Sequence, residues 1–117
     1  MTMKVYISGK IGEVIPSQET LAKFKEAEND LLSLGFEVFN PTTSGLGKKA
    51  DALAAKLSKE SGKAIEWYDA IMLLDLEELA KCDAICMLED WKDSDGATTE
   101  AFYALATKKR FIFSHKE

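Results

Sequence analysis

Four short apolar runs, separated by stretches with helical spacing, constrain this chain more than anything else in it. Val5-Tyr6-Ile7-Ser8, Phe36-Glu37-Val38-Phe39, Ala84-Ile85-Cys86-Met87-Leu88 and Phe111-Ile112-Phe113 read as strands. Strands thus alternate with helical stretches along the chain. Such an alternation packs its apolar faces as a parallel sheet with helices on both sides.

The connections carry the matching signals. Pro16-Ser17 opens a helix with Ser17 as N-cap, and Leu21, Phe24, Ala27, Leu31 and Leu34 form its apolar face. Gly35 suits its C-terminal cap, and Asn40-Pro41 stops the second strand. The polar stretch from Thr42 to Gly62 is expected to hold a short helix, Lys48 to Leu57, on a mobile excursion. Lys63 to Leu74 reads as a stronger helix with Ile65, Tyr68 and Met72 on one face. Asp75 with Glu78 resembles a capping box that begins a further turn. The last helix is expected from about Ala97 to Lys108, burying Ala101, Leu105 and Phe102. The fold class is therefore α/β: a three-layer arrangement of Rossmann or flavodoxin type, its parallel sheet having four to five strands with helices on both faces.

A length of 117 residues favours a single domain. With 46% hydrophobic and 30% charged residues the chain has an ordinary globular composition. The net charge of −5, without a basic block, argues against a long nucleic-acid partner. The apolar stretches are too short to span a bilayer, and the N-terminal residues lead into a strand rather than a signal peptide. Cys82 and Cys86, if the second lies in a strand, stand roughly 13 Å apart, too far for a disulfide. They read as core residues of a reduced, cytoplasmic protein. With His115 the one histidine, a zinc site and a Ser-His-Asp triad are both improbable, and no cofactor is expected.

In open α/β sheets ligands bind beyond the carboxyl ends of the strands. Three segments there carry candidates. Tyr6, Ser8, Gly9 and Lys10 end the first strand. Glycine allows backbone N–H groups to approach a ligand, although neither the P-loop nor the dinucleotide spacing is present, and a plain strand-ending turn fits as well. Asp75 is either a helix cap or an acid at the site. The loop from Ser94 through Gly96 leads to Glu100, read as a first-turn carboxylate. Glu100 either complements the helix dipole or acts on a substrate, and Ser94 or Asp95 either caps the helix or, in the case of Ser94, binds phosphate. Trp91 can stack on a base or simply pack, and Asp90 and Asp93 read as solvated loop acids.

Taken in order, Tyr6-Ile7-Ser8-Gly9, Asn40-Pro41, Asp75-Leu76-x-x-Leu79-x-x-Cys82-Asp83-Ala84 and Ser94-x-Gly96-x-x-x-Glu100 resemble the nucleoside 2-deoxyribosyltransferase-like superfamily. That superfamily includes deoxynucleoside 5′-monophosphate N-glycosidases. The likeness is nearest to its small branch DUF4406 and covers nearly the whole chain. It implies Glu100 as nucleophile, Asp75 as the acid that protonates the departing base, and Tyr6 as the residue orienting the nucleophile. Ser94 falls where the transferases carry an aspartate for the 5′-hydroxyl and the glycosidases a serine for the 5′-phosphate, which favours a phosphorylated substrate. The resemblance also implies a homo-oligomer, dimer or tetramer, and the apolar run Ile71-Met72-Leu73-Leu74 is compatible with an interface. The C-terminal region with which characterised members complete a neighbour's pocket has no counterpart after the last strand, and the Lys48 to Gly62 excursion has no clear match.

Two functions follow as expectations. One is N-glycosidic bond cleavage or deoxyribosyl transfer on a deoxynucleoside or its 5′-monophosphate. The other is a non-catalytic nucleotide-binding or sensing module of the same fold; a purely structural protein is the third possibility.

Overall fold

The structure is a computed structural model that describes residues 2–12 and 15–114; His115 lies outside them. Four strands, β1 (Lys4–Ser8), β2 (Glu37–Phe39), β3 (Ala84–Met87) and β4 (Arg110–Phe113), form one sheet in the order β2-β1-β3-β4. Every pairing is parallel, with Tyr6 opposite Phe39 on one side and Ile85 on the other. The helices are α1 (Gln18–Ser33), α2 (Gly47–Ser61), α3 (Trp67–Ala80) and α4 (Asp95–Ala106). The expected α/β class with a four-strand parallel sheet is what the chain forms.

Strand alternation divides the core in two. Val5, Ile7, Ala84, Cys86 and Leu88 pack on one face against Phe24, Ala27 and Leu31 of α1. Tyr6, Ile85 and Met87 project from the other face toward Leu79 of α3 and Ala101 and Ala104 of α4. Phe24 has no exposed surface, so its truncation to alanine costs about 3–5 kcal/mol. Cys82 and Cys86 are free, buried thiols, and burial pushes both up to about 11. Among the described residues no helix is long and apolar enough to cross a membrane.

Several element boundaries differ from the sequence reading. The Thr42 to Gly62 stretch forms a helix of 15 residues, longer than Lys48 to Leu57. It packs on α3 through Ala50, Ala54 and Ala70, supported by Leu53, Trp67, Ile71 and Leu74, so it is part of the packed structure. α3 begins at Trp67 rather than Lys63 and continues unbroken through Asp75 to Ala80. Its capping box is Glu66 with Asp69, not Asp75 with Glu78. The run Ile71 to Leu74 is divided: Ile71 and Leu74 meet α2, Met72 meets a cavity, and Leu73 stays half-exposed. In α4, Phe102 and Leu105 point outward, because the inward face is set by Ala97, Glu100, Ala101 and Ala104.

The connection from β2 to β3 carries the chain over β1, so the strand order reverses between β1 and β3. In open α/β sheets a crevice for ligands opens at that point. The site lies there.

Candidate active site

Tyr6 and Ser8 are two residues apart on β1 and therefore leave the same face of the sheet. Both meet Glu100. The Tyr6 hydroxyl donates to Oε2 at 2.7 Å and the Ser8 hydroxyl donates to Oε1 at 2.7 Å. One hydroxyl on each oxygen fixes the plane of the carboxylate. The Tyr6 ring is itself held by a stack on Phe39, with centroids 5.3 Å apart.

Small residues on α4 make this reach possible. Ala97, Ala101 and Ala104 line the buried face that carries Glu100, so the helix axis lies close to the sheet. Gly96 contributes in the same way. A Cβ there would stand 3.1 Å from the Tyr68 hydroxyl and 3.3 Å from the Met72 sulfur, so glycine lets α3 and the start of α4 approach. Glu100 lies in the second turn of α4, since the helix begins at Asp95; its hydrogen-bond partners are the β1 hydroxyls rather than the helix-end N–H groups.

Asp75 comes to the same place from α3. Tyr68, Met72 and Asp75 follow an i, i+4, i+7 spacing, and all three line a cavity of about 380 Å³ together with Tyr6 and Glu100. Asp75 is 8% exposed and Glu100 6% exposed. Mid-helix, Asp75 has no capping role. Among the described residues no hydrogen-bond partner holds its carboxyl.

Burial dominates the titration of both acids. It pushes Glu100 up to about 7, while the Ser8 and Tyr6 hydrogen bonds pull the other way. Asp75 is pushed up to about 8, first by burial, then by the Glu100 charge and that of Glu78. Two hydroxyl donors favour the ionised form of Glu100, whereas the Glu100 charge disfavours ionisation of Asp75, so Glu100 ionises first and the two titrate as a pair. Burial and the Glu100 and Asp75 charges hold the Tyr6 phenol well above its usual range, so it remains a donor.

The cavity wall includes Gly9 and Lys10 after β1, and Ser94 and Gly96 before Glu100. Ser94 is also the N-cap of α4, its Oγ accepting from the Ala97 N–H at 3.1 Å. Gly9 has a packing reason to be glycine: a Cβ would stand 2.8 Å from Leu88 Cδ1. Two candidates sit elsewhere. Ser8 is 1% exposed and meets the carboxylate of Glu100 instead of lining the opening, which makes it a positioning residue. Trp91 does not line the cavity; it packs against the cluster containing Tyr6 and Met87, with the Lys92 ammonium 5.7 Å above its ring.

Trp67, Tyr68, Met72 and Asp93 are wall residues that were not singled out from sequence as site residues. The heptad-like spacing from Tyr68 to Asp75 carried the signal for two of them, hidden by reading a helix break at Asp75. Trp67 is pinned by donating its indole N–H to the Gly47 carbonyl at 3.2 Å. Asp90, read as a solvated acid, fixes the loop after β1. It accepts from the Lys10 N–H at 3.0 Å and pairs with Lys23, whose ammonium also reaches the Lys10 carbonyl at 2.8 Å. Partial burial opposes ionisation of Asp90, yet these partners outweigh it and hold its carboxyl below the usual range. Among the described residues no group of three or more His, Cys, Asp or Glu could hold a metal ion.

A family described as a domain of unknown function, DUF4406, matches residues 3–113. The chain belongs to that family. The match runs from β1 to the end of β4, so this DUF4406 domain contains every residue of the cavity wall. No curated protein matches the chain.

Proposed function

We propose that the DUF4406 domain described above cleaves or transfers the N-glycosidic bond of a deoxynucleoside or its 5′-monophosphate. One observation carries the reading: Glu100, its two oxygens each held by a β1 hydroxyl, lines the same cavity as Asp75, whose carboxyl has no hydrogen-bond partner among the described residues. An acid fixed for attack and an acid free to give up a proton are the two roles that glycosidic chemistry divides between carboxyl groups. The resemblance of the sequence to nucleoside 2-deoxyribosyltransferase-like enzymes supports the same assignment.

In this mechanism an oxygen of ionised Glu100 attacks the anomeric carbon as the carbon–nitrogen bond breaks. The electron pair leaves with the base, and Asp75 supplies the proton to its ring nitrogen. The product of this half is a glycosyl ester on Glu100. Asp75, now ionised, takes a proton from water or from an incoming base, which attacks the same carbon and restores Glu100. Tyr6 and Ser8 orient the nucleophile. Trp67 and Tyr68 offer aromatic surface on the cavity wall for a planar base.

The test is incubation with a panel of deoxynucleosides and their 5′-monophosphates, with detection of free base. Turnover that is abolished in Glu100→Ala is the expected result. Full turnover in that variant overturns the nucleophile assignment; retained turnover in Asp75→Asn removes only the acid role. Thermal stabilisation by a nucleotide with no base released over long incubation supports the binding module instead.

A further inference from the structure

The segment that follows β1 forms one lip of the cavity and contains little to stiffen it. Gly9, Lys10, Ile11 and Gly12 all line the wall, and two of the four are glycines, Gly12 with a φ of +75°. Ile11 packs against the cluster under α1. Among the described residues the hydrogen bonds on this segment are all on the backbone of Lys10, and they go to one ion pair. The Lys10 N–H donates to Asp90 Oδ1 at 3.0 Å, and the Lys23 ammonium donates to the Lys10 carbonyl at 2.8 Å. Lys23 and Asp90 also bond to each other.

Asp90 has a second attachment. Its backbone carbonyl accepts from the Asp93 N–H at 3.0 Å, in the short turn Trp91–Asp93 that opens the opposite lip. Asp93, Ser94 and Gly96 of that lip line the cavity. One residue therefore belongs to the β3 lip by its backbone and holds the β1 lip by its side chain. Lys23 roots the bridge in α1, next to the fully buried Phe24. Neither Lys23 nor Asp90 lines the main cavity; both line a smaller one of about 210 Å³ against α1.

We infer that Lys23 and Asp90 are a positioning pair: by fixing the backbone of Lys10 they hold the two lips at the spacing the ligand needs, without touching the ligand. The inference rests on the nucleoside reading above and not on the chemistry performed there. A lip that is ordered before the ligand arrives need not be ordered by it, so the pair acts on affinity. Its bonds to the Lys10 backbone are charge-assisted and correspondingly strong. The two side chains act as a unit. Glu26, Asp30 and Glu89 line the same small cavity, so Lys23 without Asp90 is drawn toward other carboxylates and away from the Lys10 carbonyl. Glu100 is held from Tyr6 and Ser8 within β1, outside the tethered segment, so attack itself does not depend on the pair.

The experiment measures binding of 2′-deoxynucleosides by calorimetry in the Glu100→Gln protein, base release in the active protein, and amide exchange of the peptide containing Lys10 by mass spectrometry. Asp90→Ala and Lys23→Met should each raise Kd and KM by about tenfold, with kcat within about twofold of the wild type. The double variant should lose no more than about twofold beyond the worse single one. Lys23→Arg should keep Kd within about threefold of the wild type, since a guanidinium can serve both acceptors. Exchange at the Lys10 peptide should quicken in Asp90→Ala and Lys23→Met but not in Lys23→Arg. A lower melting temperature with Kd unchanged well below the melt makes the pair merely structural and overturns the inference. So does a fall in kcat at constant KM, or a weaker Kd without faster exchange. Nucleoside binding that responds to the variants as stated, with no base released, supports the inference and overturns catalysis. Wild-type protein that neither binds nor cleaves any nucleoside overturns both.

Discussion

Tyr6 and Glu100 are 94 positions apart in the chain and share a 2.7 Å hydrogen bond across the interface between β1 and α4. Ser8, on the same face of β1, closes the other side of the carboxylate at 2.7 Å. The sheet thus supplies the donors and the helix supplies the acid. Removing either donor tests whether this clamp matters to chemistry. Tyr6→Phe keeps the ring stacked on Phe39 and removes one hydrogen bond that holds Glu100 toward its charged form. Activity should fall by about 10- to 100-fold, on the order of 1.4–2.7 kcal/mol of transition-state stabilisation. The midpoint of the acidic limb of the pH–rate profile should move upward. Ser8→Ala should move it in the same direction; a downward shift in either variant contradicts the clamp.

The pH profile of the wild type follows from the order of ionisation. Glu100, raised to about 7, must lose its proton to attack, and Asp75, raised to about 8, must keep its own to donate. The rate should rise through a lower midpoint set by Glu100 and fall through an upper one set by Asp75, with its maximum between the two and both displaced upward from ordinary carboxylate values. Initial rates of base release across pH measure this directly. A plateau extending well above the upper midpoint would remove Asp75 from the proton transfer.

Asp75→Asn separates stability from activity. Burial raises the Asp75 carboxyl from its ordinary value to about 8 in the folded state. Between the unfolded and folded values the unfolded chain binds fewer protons, so stability falls as pH rises from about 4 to about 8. An amide at this position does not ionise. Asp75→Asn should therefore raise the melting temperature near pH 8, by on the order of 1–3 kcal/mol of stability, and flatten its decline with pH. Base release should drop by at least about 100-fold in the same variant. Thermal melts at several pH values check the first outcome and rate assays the second.

The layout of the sheet was legible in the sequence because the four apolar runs and the turn residues Ser17, Gly35 and Asn40-Pro41 agree with one another. Ser17 caps α1, and the Asn40 side chain accepts from the Thr42 N–H where the chain leaves β2. Glu100 stands out in the sequence because it follows a strand and a Ser/Asp/Gly loop, whereas the roles of Asp75 and Tyr6 come only from the resemblance, since a helix cap fits Asp75 as well from spacing alone. What sequence could not show is which faces α3 and α4 turn inward. α3 spreads its apolar residues around the helix, so its pattern has no phase, and an acid within it looks like a new cap. α4 buries alanines and a glutamate while exposing Phe102 and Leu105, the reverse of what side-chain size implies. That inversion is what brings Glu100 to β1. The division of labour between Ser8 and the cavity wall was equally hidden, because it depends on a tertiary contact and not on spacing.

Gly96 offers a test of the cavity's shape that leaves the acids intact. A methyl group there would press on the Tyr68 hydroxyl at 3.1 Å and the Met72 sulfur at 3.3 Å, both ends of adaptable side chains. Gly96→Ala should cost less than about 1.5 kcal/mol in stability, since the neighbours can shift. It should weaken ligand binding by several-fold, because those same side chains wall the cavity. Calorimetric titration alongside a thermal melt distinguishes a narrowed site from a damaged fold.

The attacking role of Glu100 is tested most directly by intact-protein mass spectrometry after incubation with a nucleoside carrying an electron-withdrawing substituent at C2′, which slows release of the glycosyl ester. The wild type should gain the mass of one sugar, mapped to the peptide containing Glu100, while Glu100→Gln gains none. An adduct on another residue, or base released by Glu100→Gln at the wild-type rate, would contradict the account.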